Sequence, residues 1–296
     1  MKNLLYGLLT ITLLSLSTLS YSNDDRGMTV DLILPNNNEI LDRLSKKIDS
    51  SEKYTVNTYI NSLPDDNKQG DILVIVSEKL IPLLNEKNYK ARFALYVNSK
   101  NYQKLELIKS SALFSDQPLS RQLSLIQAIF GNEVKKIGVA YKDERYENEI
   151  SELTKITESL TINKTKIVEK NIIRSINKLI QSNDILIATS ENDIFNSKTI
   201  RPILLSSYRH QTVIIGPTEG FVIAGALGTI LSSPSQYADD LIAMINNYID
   251  SNKLPPSQYP SKFKVKINYS VAESLGLIID NEETLENIIL NQGDNK

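Results

Sequence analysis

From Val30 to Ile267, short apolar runs alternate with segments of helical period, and this alternation limits the fold more than any other feature of the chain. Val30 to Leu34 (VDLIL) reads as a strand, followed by Ile40, Leu41, Leu44 and Ile48 on one helical face. Tyr54 to Ile60 alternates with period two, and Asp71 to Val76 (DILVIV) is a buried strand. Ser77 caps the next helix, which carries Pro82 in its early turns, and Arg92 to Val97 is the next strand. The unit then repeats. A helix striped by Leu119, Leu123, Ile126 and Phe130 precedes the strand Lys136 to Tyr141, and Ile150, Leu153, Ile156 and Leu160 stripe the helix after it. Strands are expected at Lys164–Val168, Asp184–Ala188 and Thr212–Gly216, separated by helices over Ile173–Ile180 and Thr199–Tyr208. Beyond these lie the glycine- and alanine-rich run Phe221–Leu231 and a helix with Leu241, Met244, Ile245 and Tyr248 on one face. A strand over Phe263–Ile267 and a short helix over Ser270–Leu275 complete the pattern. Strands and helices in this order call for an α/β fold with parallel sheets covered on both faces. The strands DILVIVSEK and DILIATSEN end alike, which fits two lobes of similar topology; chance similarity of buried strands gives the same letters.

Size agrees with two lobes. The chain has 296 residues and begins with Lys2, an apolar run from Leu4 to Leu16, and small residues ending at Ser20-Tyr21-Ser22. That is the layout of a secretory signal peptide cleaved after Ser22, giving a periplasmic protein; an uncleaved anchor is the alternative. About 270 residues then remain, more than one ordinary core holds. No cysteine occurs, which excludes disulfides, thiolate metal sites, thiol nucleophiles and a lipid anchor on cysteine. With 33 basic and 35 acidic residues scattered along the chain there is no basic stripe, so nucleic acid is not an expected partner. The single histidine, His210, cannot form a histidine metal cluster and reads as a surface or capping group.

Catalytic signatures are missing. There is no G-x-S-x-G elbow, phosphate loop, dinucleotide-binding turn or H-E-x-x-H helix. Ser175-Ile176-Asn177-Lys178 matches S-x-x-K, but inside an amphipathic helix and without its companion motifs. No enzyme activity, metal or cofactor is expected. Three segments fall just past strand ends, where open parallel sheets bind ligands. Ser115-Asp116-Gln117-Pro118 can hold a polar ligand group or simply cap a helix. Ser190 to Asn196 mixes hydrogen-bonding groups with Phe195, as a small-molecule pocket does, or is a plain polar loop. Gly216 to Phe221 is a ligand wall or a hinge.

SDQPLSRQLSLIQAIFGNEVKKIGVAY, LLSSYRHQTVIIG joined to FVIAGAL, and the closing KINYSVAESLGL resemble the ABC transporter substrate-binding protein family with its tryptophan-binding-like members. The resemblance runs roughly from Ser111 to Ile279. It implies a type I periplasmic-binding fold: two doubly wound parallel-sheet lobes joined by crossover strands, with a small-molecule ligand in the cleft. Its cleft positions fall on Asp116, Gln117, Asp193, Phe195, Thr218 and Phe221. Ser77 is added because it ends a first-lobe strand. The expected lobes are 23–115 with about 232–262, and 116–231 with about 263–285, followed by a polar tail over 286–296. The implied protein is a monomer delivering its ligand to an inner-membrane ABC permease, or alternatively a periplasmic sensor or partner-binding protein. LELIKSSALFSDQP replaces the glycine- and asparagine-rich turn common in relatives before the first crossover, so an amino-acid ligand does not follow.

Overall fold

The computed structural model describes residues 27–293, apart from 106, 108, 132, 134, 135, 157–159, 169 and 170. The expected cleavage site at Ser22 lies outside the described residues.

Strands β1 (Met28–Leu34), β2 (Tyr54–Ile60), β3 (Ile72–Val76), β4 (Ala91–Val97) and β5 (Ser110–Phe114) form a parallel sheet in the order β2-β1-β3-β4-β5. The central strands are apolar at almost every position because both faces are covered. In β3, Ile72, Val74 and Val76 pack with Leu44 and Ile48 of α1 (Glu39–Ile48), while Leu73 and Ile75 pack with Leu80, Leu84 and Tyr89 on the opposite face. The segment after Ser77 is a 3-10 helix over Glu78–Asn85. Pro82 sits inside it and has no N–H for an α-helical bond. A short helix, α2 (Ser99–Gln103), follows β4 and has no apolar period to announce it.

The second half consists of α3 (Leu119–Phe130), β6 (Lys136–Tyr141), α4 (Glu144–Ile156), β7 (Thr161–Lys166), α5 (Ile172–Ser182), β8 (Ile185–Ala188), α6 (Ile200–His210), β9 (Val213–Ile215), α7 (Glu219–Ala224) and β10 (Gly228–Leu231). After them come α8 (Pro234–Ser251), β11 (Lys264–Ile267), α9 (Tyr269–Ser274) and α10 (Glu282–Gly293). The second sheet has the order β11-β10-β9-β8-β6-β7, parallel except for β11. In both sheets the winding reverses beside the first strand, at β1/β3 and at β6/β8. Crevices at such switch points bind ligands. Among the described residues, no helix is long and apolar enough to cross a membrane.

The chain crosses from the first sheet to the core of the second between β5 and α3, returns between β10 and α8, and crosses again between Gln258, which bridges to Leu113, and β11. Tyr237, Leu241, Met244, Ile245 and Tyr248 return α8 to the first-lobe core. Leu285 and Ile289 place α10 in the second. Side chains tie the crossings together. Gln117 Nε2 donates to Ser232 Oγ at 3.1 Å, and Ser232 Oγ donates to the Lys262 carbonyl at 2.8 Å. Arg121 donates to Gln117 Oε1 at 2.7 Å and lies over the Phe263 ring.

Two expectations are corrected. β7 begins at Thr161 instead of Lys164, and Leu160, assigned above to a helix stripe, is buried directly before it. β7 is an edge strand, and Lys164 and Lys166 pair with Glu147 and Glu144. Its composition therefore reads as polar. The polar tail expected over 286–296 is instead helical as far as Gly293. Here Glu286 accepts from Val265 N–H at 2.9 Å and Glu282 from Ile267 N–H at 3.0 Å. One turn apart on α10, these carboxylates satisfy the outward donors of the edge strand β11, while Leu285 and Ile289 face the core.

Candidate functional site

The carboxyl ends of both sheets face each other across a cavity of about 900 Å³. Glu78 reaches it from the end of β3, Asn98 to Lys104 from β4, and Ser115 and Asp116 from β5. The other wall is Lys142 and Asp143 after β6, Ser190 to Ser197 after β8, and Pro217, Thr218 and Phe221 after β9.

Local hydrogen bonding sets these loops. Asn98 accepts from the N–H groups of Lys100 and Asn101, and Asp116 accepts from Ser99 N–H at 2.7 Å and Ser99 Oγ at 2.6 Å. Both residues thereby cap α2. Asp116 is 5% exposed. Burial pushes its carboxyl up from the ordinary value, against the bonds from Ser99. Tyr259 donates to Ser99 Oγ at 3.1 Å, adding the third crossing to this cluster.

Across the cavity, Glu191 accepts from Lys142 N–H at 3.0 Å and Asp143 N–H at 2.8 Å, joining the loops after β8 and β6. Burial raises its carboxyl as well, and Asp143 adds to the effect. Phe195 and Phe221 are buried and meet edge to face with centroids 6.4 Å apart. Gly216 makes room for this pair: a Cβ there would lie 2.5 Å from Phe221 Cβ.

Ion pairs bridge the lobes. Lys104 of the first lobe meets Asp143 of the second at 2.6 Å. Lys100 meets Glu149 of α4 at 2.6 Å, with side chains 8% and 20% exposed, and its ammonium lies 5.0 Å from the centre of the Tyr146 ring. Burial pulls the Lys100 pKa down, but Glu149, Tyr259 and Asp116 outweigh it and the net shift is upward. For Asp143, burial raises the carboxyl, yet the bonds from Lys104 and Arg145 hold it below its ordinary value.

Of the residues singled out from sequence, Asp116, Asp193, Phe195, Thr218 and Phe221 all line this one cavity. Asp193 is exposed and pairs with Lys142 at 2.8 Å. Two others do other work. Gln117 is bonded among the crossings, and Ser77 accepts from Lys79 N–H as a helix cap, leaving its neighbour Glu78 to line the cavity. Sequence reasoning missed Lys100, Lys104, Asp143 and Glu149. The usable signal was positional: Asn98 follows the strand RFALYV as a cap, so the residues after it stand at a carboxyl end. His210 is exposed at the end of α6.

No protein-family model matches the sequence, and no curated protein matches it either. Solved structures do match. A ligand-free, open substrate-binding protein with adhesive properties from Clostridium difficile aligns at TM-score 0.64 and 13% identity, covering 86% of this chain and 97% of that one. An ABC domain in complex with L-Trp from Streptococcus pneumonia aligns at TM-score 0.57 and 15% identity, covering 88% and 98%. A xylose-binding transcription activator aligns at TM-score 0.51 and 10% identity, covering 88% of this chain and 73% of that one. At such identities the likeness is one of fold. Two doubly wound lobes, interlocked crossings and a cleft lined from both sides give this chain the type I periplasmic-binding-protein fold.

Proposed function

We propose that the protein is exported, captures a small solute between its lobes and presents the closed form to a membrane partner, without catalysing a reaction on it. The observation that carries this reading is the cavity of about 900 Å³ at the facing carboxyl ends of both sheets, lined by loops from each lobe. Its size is that of a small-molecule site, and its walls belong to bodies whose chain connections are confined to the crossings, so closing them around a solute is a hinge motion. The membrane partner is an ABC permease that imports the solute. A second reading, in which the closed form instead signals to a sensor or envelope complex, draws support from the likeness to a xylose-binding transcription activator.

Ligand that binds only the folded form raises its melting temperature. A thermal-shift screen of the purified chain against a solute library therefore gives hits, and Phe221→Ala, which strips a cavity wall, weakens them. A screen without a single hit contradicts capture. Equal affinity in Phe221→Ala makes that ring a packing residue only.

A further inference from the structure

We propose that the second lobe docks on an anionic lipid bilayer through the outer face of α5, α6 and α7. These helices lie side by side over one face of the second sheet, and Ile176, Leu179, Ile203 and Phe221 fill the core beneath them. The side chains left outside are of two kinds. Arg174 and Lys178 of α5, Lys198 before α6, and Arg201 and Arg209 of α6 are exposed cations. Leu205, Tyr208 and Ile223 are apolar groups exposed at 52%, 75% and 79%. On α6 the two kinds share a stripe, because Arg201, Leu205 and Tyr208 follow one another at helical spacing.

Charge is the first observation that separates this face from ordinary solvated surface. α5 and α6 (IIRSINKLIQS and IRPILLSSYRH) contain no carboxylate, and α7 has only Glu219 at its start. None of the cations named is in an ion pair with a described residue. Lysines elsewhere on the surface are paired, as Lys46 is with Asp42, Lys53 with Asp250 and Lys164 with Glu147. In a chain of net charge -2, unpaired cations gathered on one face attract a surface of the opposite sign. The apolar groups are the second observation, and they choose the occupant. A bilayer takes both kinds at once, with the cations level with the phosphates and the apolar tips at the acyl boundary. A protein interface matches charges of both signs, and α5 and α6 have no carboxylate to meet a partner's cations. A second copy of the chain has no free acidic face to offer. Its glutamate-rich helices α4 and α10 cover the other side of the sheet, and their carboxylates are in use. Glu144, Glu147, Glu149 and Glu152 pair with lysines, while Glu282 and Glu286 accept from β11. The basic face begins at the cleft mouth, where Ser197 and Thr218 line the cavity, and belongs to the second lobe alone. A molecule docked this way keeps its first lobe free to close over a solute.

The test is co-sedimentation of the protein, purified from the cells that make it, with two kinds of vesicle: phosphatidylcholine alone, and phosphatidylcholine mixed equally with phosphatidylglycerol. The expected result is binding to the mixed vesicles and not to the neutral ones, released by added salt. Arg201→Glu with Arg209→Glu lowers it about tenfold or more, and Leu205→Ser with Ile223→Ser lowers it as well. Lys253→Glu with Lys264→Glu makes the same change in net charge away from this face and leaves binding intact. Circular dichroism checks folding, and Arg201→Gln with Arg209→Gln serves if the charge reversal unfolds the chain. Equal binding to both vesicles, binding to neither, unchanged binding in either face variant, or an equal loss in the lysine control overturns the proposal. So does binding to native membranes that protease treatment of those membranes abolishes, which assigns the face to a protein. Solute capture by the cleft stands or falls separately, on the thermal-shift screen.

Discussion

Asp143 stands at the mouth of the cleft and holds Lys104 of the other lobe, Arg145 N–H and the Arg145 guanidinium. Because its folded carboxyl lies below the ordinary value, its stabilising effect is present above the unfolded pKa, near 4, and is lost as pH falls through the folded value. Asp143→Asn should cost about 1–2 kcal/mol at neutral pH, the scale of charge-assisted hydrogen bonds. Denaturant titrations of both proteins should converge once the pH is well below about 4; a gap of constant size would show that the carboxylate charge is not what matters. Asp116 and Glu191 have the opposite sign. Burial raises both, so they contribute stability at low pH that is lost as pH rises through their folded values. At this scale the sequence was partly legible. Asp116, Phe195 and Phe221 stood out because each lies in a polar or glycine-containing segment a few residues past a short apolar run. Lys100 and Lys104 did not, since a lysine on a short polar helix looks like any solvated lysine until the other lobe supplies its carboxylate.

Among the elements, the buried strands were the easiest to read and the edges the hardest. β3, β4 and β6 are apolar on both faces, and no other structure suits such short runs. β7 and α10 lie at the borders of the second sheet, where lysines and glutamates serve the edge and leave weak apolar periodicity. The turn from β9 into α7 depends on Gly216, which has no room for a side chain against Phe221. Gly216→Ala should destabilise the protein by about 1–3 kcal/mol, the usual cost of overpacking, and should weaken solute binding by shifting Phe221. Chemical denaturation together with a binding isotherm reads both effects. An unchanged isotherm in a folded Gly216→Ala protein would detach Phe221 from the site.

At the scale of the whole molecule, the crossings form a bonded hinge through Gln117, Ser232 and Lys262, while Lys104–Asp143 and Lys100–Glu149 draw the lobes together on the cleft side. The Lys100 pair is mostly buried. Lys100→Ala leaves Glu149 without its cation and should cost about 3–5 kcal/mol, with small-angle scattering showing a more open molecule. A scattering curve matching the unaltered protein would confine that pair to a local role. That the chain folds as two lobes was visible in its rhythm of strands and helices. Which side chains bridge the lobes was not, because such contacts join residues far apart in sequence and depend on the angle between rigid bodies. The central claim is that a small solute is held in the cleft by residues of both lobes. A native mass spectrum of the protein purified from the cells that make it tests this most directly. The account predicts a one-to-one complex with a small organic molecule that is lost in Asp116→Asn and Phe221→Ala. A spectrum of unliganded protein alone, or of an adduct indifferent to both substitutions, would contradict it.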